Sequence, residues 1–120
     1  MPRLWWIGER EHVEFAEAWR DVASWNESTP GIAESFDDVE ASQAALAAGE
    51  PPELILLAVR RPGEFSLDDV MRLQEAAPLA RQIAVLGSLC EGERRTGDPW
   101  PGVLRYYWHQ WSWRLRPELL

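Results

Sequence analysis

Two unbroken apolar blocks, Leu4-Trp5-Trp6-Ile7 and Leu54-Ile55-Leu56-Leu57-Ala58-Val59, stand out in a chain whose apolar and polar positions otherwise interleave. Short apolar runs bounded by Gly or Pro read as buried strands rather than helices. The first block closes at Gly8, and the second lies between Pro51-Pro52 and Arg60-Arg61. The second has the pattern of a central parallel strand covered on both faces. Ile83-Ala84-Val85-Leu86-Gly87 repeats that pattern, and Val103 to Trp108 is a further β-prone run. Between the strands, Val13, Phe15, Ala16, Trp19, Val22 and Ala23 recur at spacings of three and four with charged residues between them, which predicts an amphipathic helix. Asn26 to Gly31 is a turn by composition and leaves Ile32 to Phe36 for a short edge strand. Ser35-Phe36-Asp37-Asp38 offers a cap for a helix over Val39 to Ala48, stopped by Gly49 and the double proline. Ser66-Leu67-Asp68-Asp69 has capping-box spacing, with Asp in the place usual for Glu, ahead of Val70, Leu73 and Ala77, and Pro78 ends that helix.

The resulting order alternates strand and helix, with a loop or short helix before the last strand. Such alternation implies right-handed βαβ units and a parallel sheet with helices on both faces. A chain of 120 residues supports one domain with a modest core, so residues 1–120 are expected to form a single unit. Over residues 3 to 110 the layout resembles the flavodoxin-like group, and within it the receiver (CheY-like) domains of two-component response regulators. The closest local echo is Pro52-Glu53-Leu54-Ile55-Leu56-Leu57 opening the third strand, with Pro62 in the following loop. The resemblance implies a three-layer α/β domain with five parallel strands in the order 2-1-3-4-5. The segment 111–120 is short for a final receiver helix and is interrupted by Pro117. It is therefore read as a shortened helix or as part of a longer protein.

The same resemblance defines what is missing. Receivers carry an acidic pair after the first strand, a phosphorylated aspartate ending the third, Ser or Thr ending the fourth, and lysine ending the fifth. The corresponding positions here are Gly8 and Glu9, Ala58, Gly87 or Ser88, and His109 or its neighbour. Only Glu9 and Ser88 fit. The 12 basic residues are all arginine, so no lysine exists to compensate the charge. The expected function is thus a phosphorylation-independent, receiver-like interaction or regulatory module, not an enzyme.

Charge and composition narrow the partners. A net charge of −8 repels a phosphate backbone, so nucleic acid is not expected. No apolar run approaches the roughly 20 residues that span a bilayer, which predicts no membrane partner. One cysteine and no leader-like N-terminus predict a reducing, cytoplasmic setting. His12, Cys90 and His109 lack metal-ligand spacing, and the glycines of residues 92–102 match no phosphate or dinucleotide motif, so neither metal nor cofactor is expected.

Two candidate sites remain. Cys90 and His109 follow neighbouring strands, and with Glu9 or Glu91 behind them they are the raw material of a Cys-His nucleophilic enzyme, the alternative function. Glu91 and Glu93 oppose thiolate formation, while Arg94 and Arg95 favour it. The other site is a surface. Eight tryptophans exceed what a small core needs, and Trp108, Trp111 and Trp113 lie among Arg105, Arg114 and Arg116. Trp, Tyr and Arg are enriched at binding hot spots. A protein partner or homodimer is accordingly expected through Arg105, Trp108, Trp111, Trp113 and Arg114.

Overall fold

Leu4–Gly8 forms β1, a strand buried along its whole length, and the sheet grows outward from it. The structure is a computed structural model describing residues 3–90, 100 and 102–119. The other strands are β2 (Ala33–Phe36), β3 (Leu54–Val59), β4 (Arg81–Leu86) and β5 (Val103–Tyr107). All pair in parallel, in the order β2-β1-β3-β4-β5. The domain is therefore a doubly wound, flavodoxin-like α/β sheet, as the alternation predicted.

Strand pleating divides the core into two clusters. Leu4, Trp6, Leu56 and Ala58 face α1 (Val13–Ser28), while Trp5, Ile7, Ile55 and Leu57 join Val39 of α2 (Val39–Ala48) and Val70 and Leu73 of α3 (Leu67–Ala76). β1 and β3 contribute to both clusters and so have no polar face, which is why their sequences read as unbroken apolar runs.

The helix caps are local and match their sequence signals. Asp38 accepts from the Ala41 N–H at 2.8 Å, and Ser66 and Asp69 form a reciprocal capping box. The end of α1 departs from expectation. The helix runs through Asn26, Glu27 and Ser28, where the composition predicts a turn. Trp25 is buried on its inner stripe, and the Asn26 amide is fastened to β2: its Nδ2 donates to the Ala33 carbonyl and its Oδ1 accepts from the Ala33 N–H. Those two bonds hold the last turn of α1 against the edge of the sheet.

β5 stops at Tyr107, one residue earlier than predicted. The Tyr107 N–H donates to Gln110 Oε1 at 2.8 Å, which starts a 3-10 turn over Trp108–Gln110. A π turn, Trp111–Leu115, comes next and leads into α4 (Arg116–Leu119). The Arg116 N–H closes on the Trp111 carbonyl, one residue wider than an α turn. Pro117 supplies the reason, since in a regular helix its ring would strike the Trp113 carbonyl. Glu91, Glu93, Arg94 and Arg95 lie outside the described residues.

Among the described residues Gln43, Gln82 and Trp108 have buried side-chain polar atoms without a hydrogen bond, and only in Gln82 are both amide atoms affected. Gln82 sits in β4 beside Ile55 and Val103, is 3% exposed, and has neither amide atom hydrogen-bonded. An unsatisfied buried amide costs about 1–3 kcal/mol. Gln82→Met is therefore expected to raise the unfolding free energy by about 1 kcal/mol or more, read from the urea midpoint. An unchanged or lower midpoint would mean that the amide is satisfied in solution.

Candidate functional site

In doubly wound sheets, ligands bind beyond the carboxyl ends of the strands where the winding direction reverses. Here that point lies between β1 and β3, where Gly8 stands beside Ala58. Gly8 has φ +116°, and a Cβ added there would lie 2.6 Å from the Ala58 carbonyl oxygen and 3.3 Å from both Ala58 Cβ and Phe65 Cζ. Neither the torsion nor the space admits a side chain. Ala58 itself is fully buried. Gly8 and Ala58 thus form a closed contact between backbones, roofed by an aromatic ring.

Glu9, the next residue, is used locally. Its Oε1 accepts from the N–H groups of Glu11 at 2.9 Å and His12 at 3.1 Å, fixing the loop into α1. The Glu11 amide does most to hold the carboxyl below its ordinary pKa. His12 is the N-cap of α1, its Nδ1 accepting from the Glu14 N–H. Glu14 then reaches across to the end of β4, where both carboxylate oxygens accept from the Ser88 N–H at 3.1 and 3.2 Å. Gly87 makes room for this clamp, because a Cβ there would meet Glu14 Oε1 at 2.8 Å. Ser88 therefore faces an anion supplied by its own chain. Periodicity marked Glu14 only as a polar helix position, and nothing local betrays a contact spanning 74 residues.

Beyond the Gly8–Ala58 contact opens a cleft of about 470 Å³. Its floor is Gly8, Glu9 and Phe65, with Asp37 and Glu40 on the β2–α2 side and Arg60, Arg61 and Glu64 on the β3–α3 side. Burial pushes the Glu64 carboxyl above its ordinary pKa; nearby Glu9 adds to this, and Arg60 and Arg61 oppose it. Nothing in the sequence marks this cleft, where Arg60-Arg61 reads only as the boundary of a strand.

The other predicted residues scatter. Cys90 is 1% exposed in the cluster shared with α2 and α3, its thiol directed at the Val59 carbonyl 3.6 Å away. His109 is exposed in the 3-10 turn, stacked on Tyr107 and lining a small hollow with Val13 and Glu14 of α1. The aromatic segment divides in two. Trp111, expected at an interface, is 2% exposed: its indole packs in the core with Phe15 and Val22, and its Nε1–H donates to Asp21 at 2.8 Å. It faces inward because the helical segment after β5 must cover the α1 side of the sheet. Trp108 is half-buried against the same cluster. Trp113, by contrast, is 64% exposed, its Nε1–H held by the His109 carbonyl. Arg114, next to it in sequence, and Arg105, in β5, are exposed, and the Arg114 guanidinium lies 5.7 Å from the Tyr106 ring centroid. Among the described residues no group of three or more His, Cys, Asp or Glu side chains could hold a metal, and no helix is long and apolar enough to cross a membrane. No family model, curated protein or solved structure matches the chain.

The two cleft glutamates should respond oppositely to pH. A carboxyl lowered in the folded state stabilises the fold above its unfolded pKa, and that contribution is lost as pH falls through the folded value. Glu9→Gln should therefore lower the melting temperature near neutral pH, with the difference closing in acid. Glu64 is raised, so its ionisation opposes folding as pH climbs above the ordinary carboxyl value. Glu64→Gln should raise the melting temperature near neutral pH and lose that gain in acid. Parallel shifts of the same sign in both variants would refute the assignment.

Proposed function

We propose that the chain is a receiver-like binding module that works without phosphorylation and docks a protein partner, a second copy in the simplest case, through the exposed part of its C-terminal aromatic segment. The observation that carries this reading is the closure at Gly8 and Ala58. Aspartyl-phosphate chemistry requires a carboxylate nucleophile, acids to hold Mg²⁺, and cationic and hydroxyl groups around the transferring phosphoryl. Ala58 supplies no nucleophile, and Gly8 has no room for the second acid. The amide of Ser88 is already held by Glu14.

The docking surface is smaller than its sequence suggested. Trp113, Arg105 and Arg114 remain available, whereas Trp111 and most of Trp108 are committed to the interior. An exposed tryptophan with an adjacent exposed arginine has the composition of an interface anchor.

Neither the parent protein nor Ala58→Asp should become labelled by acetyl phosphate with Mg²⁺ present. The variant should also lose stability, because the new carboxylate replaces a fully buried methyl group. Incorporation into the parent would refute the reading outright, and incorporation into the variant alone would show that the surrounding site still works.

Trp111→Ser and Trp113→Ser should separate cleanly. The first should cost about 3–5 kcal/mol of stability, the range for truncating a large buried aromatic. The second should leave the melting temperature nearly unchanged while altering sedimentation or partner capture. A Trp113→Ser protein identical to the parent in every association assay would remove the proposed surface.

A further inference from the structure

The cleft at the switch point carries an unusual charge pattern. Arg60 and Arg61 leave β3 side by side, exposed, and neither guanidinium forms a hydrogen bond or ion pair with any described residue. Arg72, on the same wall, is already bonded to Asp69 at 2.6 Å. Two adjacent cationic side chains thus line the cleft with no acid in direct contact among the described residues. A guanidinium without a close partner offers a planar fork of N–H donors that suits a carboxylate.

Acids line the same cleft. Arg60 lies within electrostatic reach of both Glu9 and Glu64, and Arg61 of Glu64. Only one oxygen of Glu9 is occupied, by the loop amides. Across the cleft, Glu40 forms no hydrogen bond or ion pair with a described residue, and Asp37 shares one oxygen with Arg10 at 3.4 Å. The burial that disfavours the charged form of Glu64 also means that a cation placed there would gain from a weakly solvated carboxylate. A simple inorganic anion meets excess negative charge in this cleft, and a divalent metal finds no converging ligand set among the described residues. A molecule carrying both signs of charge meets complementary groups at each end.

We infer that the cleft between the carboxyl ends of β1 and β3 is a binding site for a small zwitterion of net positive charge, of which a free basic amino acid is the simplest form. Its α-carboxylate sits on Arg60 and Arg61, and its α-ammonium lies between Glu64 and the free oxygen of Glu9. The basic end of its side chain crosses to Glu40 and Asp37, with its methylene stem over Phe65. A volume of about 470 Å³ accommodates such a molecule and lies within the usual size of small-molecule pockets. This site is separate from the aromatic surface, so the ligand and the protein partner would not compete for the same residues.

The test is an NMR titration of the ¹⁵N-labelled protein at low salt with L-arginine. The comparison ligands are its N-acetyl derivative, its carboxamide, norvaline and inorganic phosphate. L-Arginine should shift the amides of Gly8, Glu9 and residues 60–65 saturably. Each capped or shortened analogue should bind about ten-fold more weakly or worse, a loss of about 1.4 kcal/mol. The Arg60→Gln/Arg61→Gln protein should bind arginine and its carboxamide equally and weakly, while Glu40→Gln should reduce the preference for arginine over norvaline. All three substituted positions are exposed, and an unchanged amide spectrum away from the cleft would show that the fold is intact. Absence of saturable shifts with arginine, equal binding by the capped forms, stronger binding of phosphate, or shifts confined to the Trp113 region would each overturn the site. None of those outcomes bears on the phosphodonor result, so the two readings fail independently.

Discussion

Gly8 carries the chain out of β1 so close to β3 that no side chain fits between its Cα and the Ala58 carbonyl. The rest of the carboxyl edge depends on that approach. With no side chain at position 8, Phe65 comes down over the contact and becomes the apolar floor of the cleft. The next residue, Glu9, is turned toward the amides of Glu11 and His12, and His12 caps α1. α1 then presents Glu14 to Ser88 above a second glycine, Gly87. Two positions without side chains thus connect the first strand, the first helix and the fourth strand. An α/β sheet is otherwise tolerant at this edge, since its loops carry little of the core.

Much of this architecture was legible because its causes are local. β3 is buried on both faces, and the predicted block Leu54 to Val59 coincides with the strand. The caps at Asp38 and Ser66 were equally plain, because a capping side chain reaches only two or three residues ahead. The C-terminal turns of α1 were not legible. Asn26-Glu27-Ser28-Thr29-Pro30-Gly31 has the composition of a turn, and only the tertiary bonds from Asn26 to Ala33 and the burial of Trp25 keep the first three of these residues helical. Tertiary context outweighed propensity there.

The cleft was hidden for a different reason. Glu9, Asp37, Glu40, Arg60 and Glu64 belong to three separate loop regions, each ordinary by itself, and only the strand order brings them together. Conversely, the dense run of aromatic and basic residues after Gly102 suggested a single surface. In the structure that run serves two masters, Trp111 and Leu115 covering the sheet while Trp113 and Arg114 stand outside. Composition can count tryptophans but cannot say which side of a helix each occupies, and the turn types that decide it are set by Gln110 and Pro117.

The π turn at Trp111–Leu115 also governs the phase of the last helical residues. Trp111, Leu115 and Leu119 are all buried, spaced four residues apart. In a regular α-helix such a spacing overshoots a full revolution by about 40° at each step, so the third residue would have walked about 80° around the axis. A wider turn rotates less per residue and takes back part of that drift. Pro117, which looked like an interruption, thereby acts as a phase correction. It lets a helical segment of about two and a half turns keep Trp111, Leu115 and Leu119 all buried.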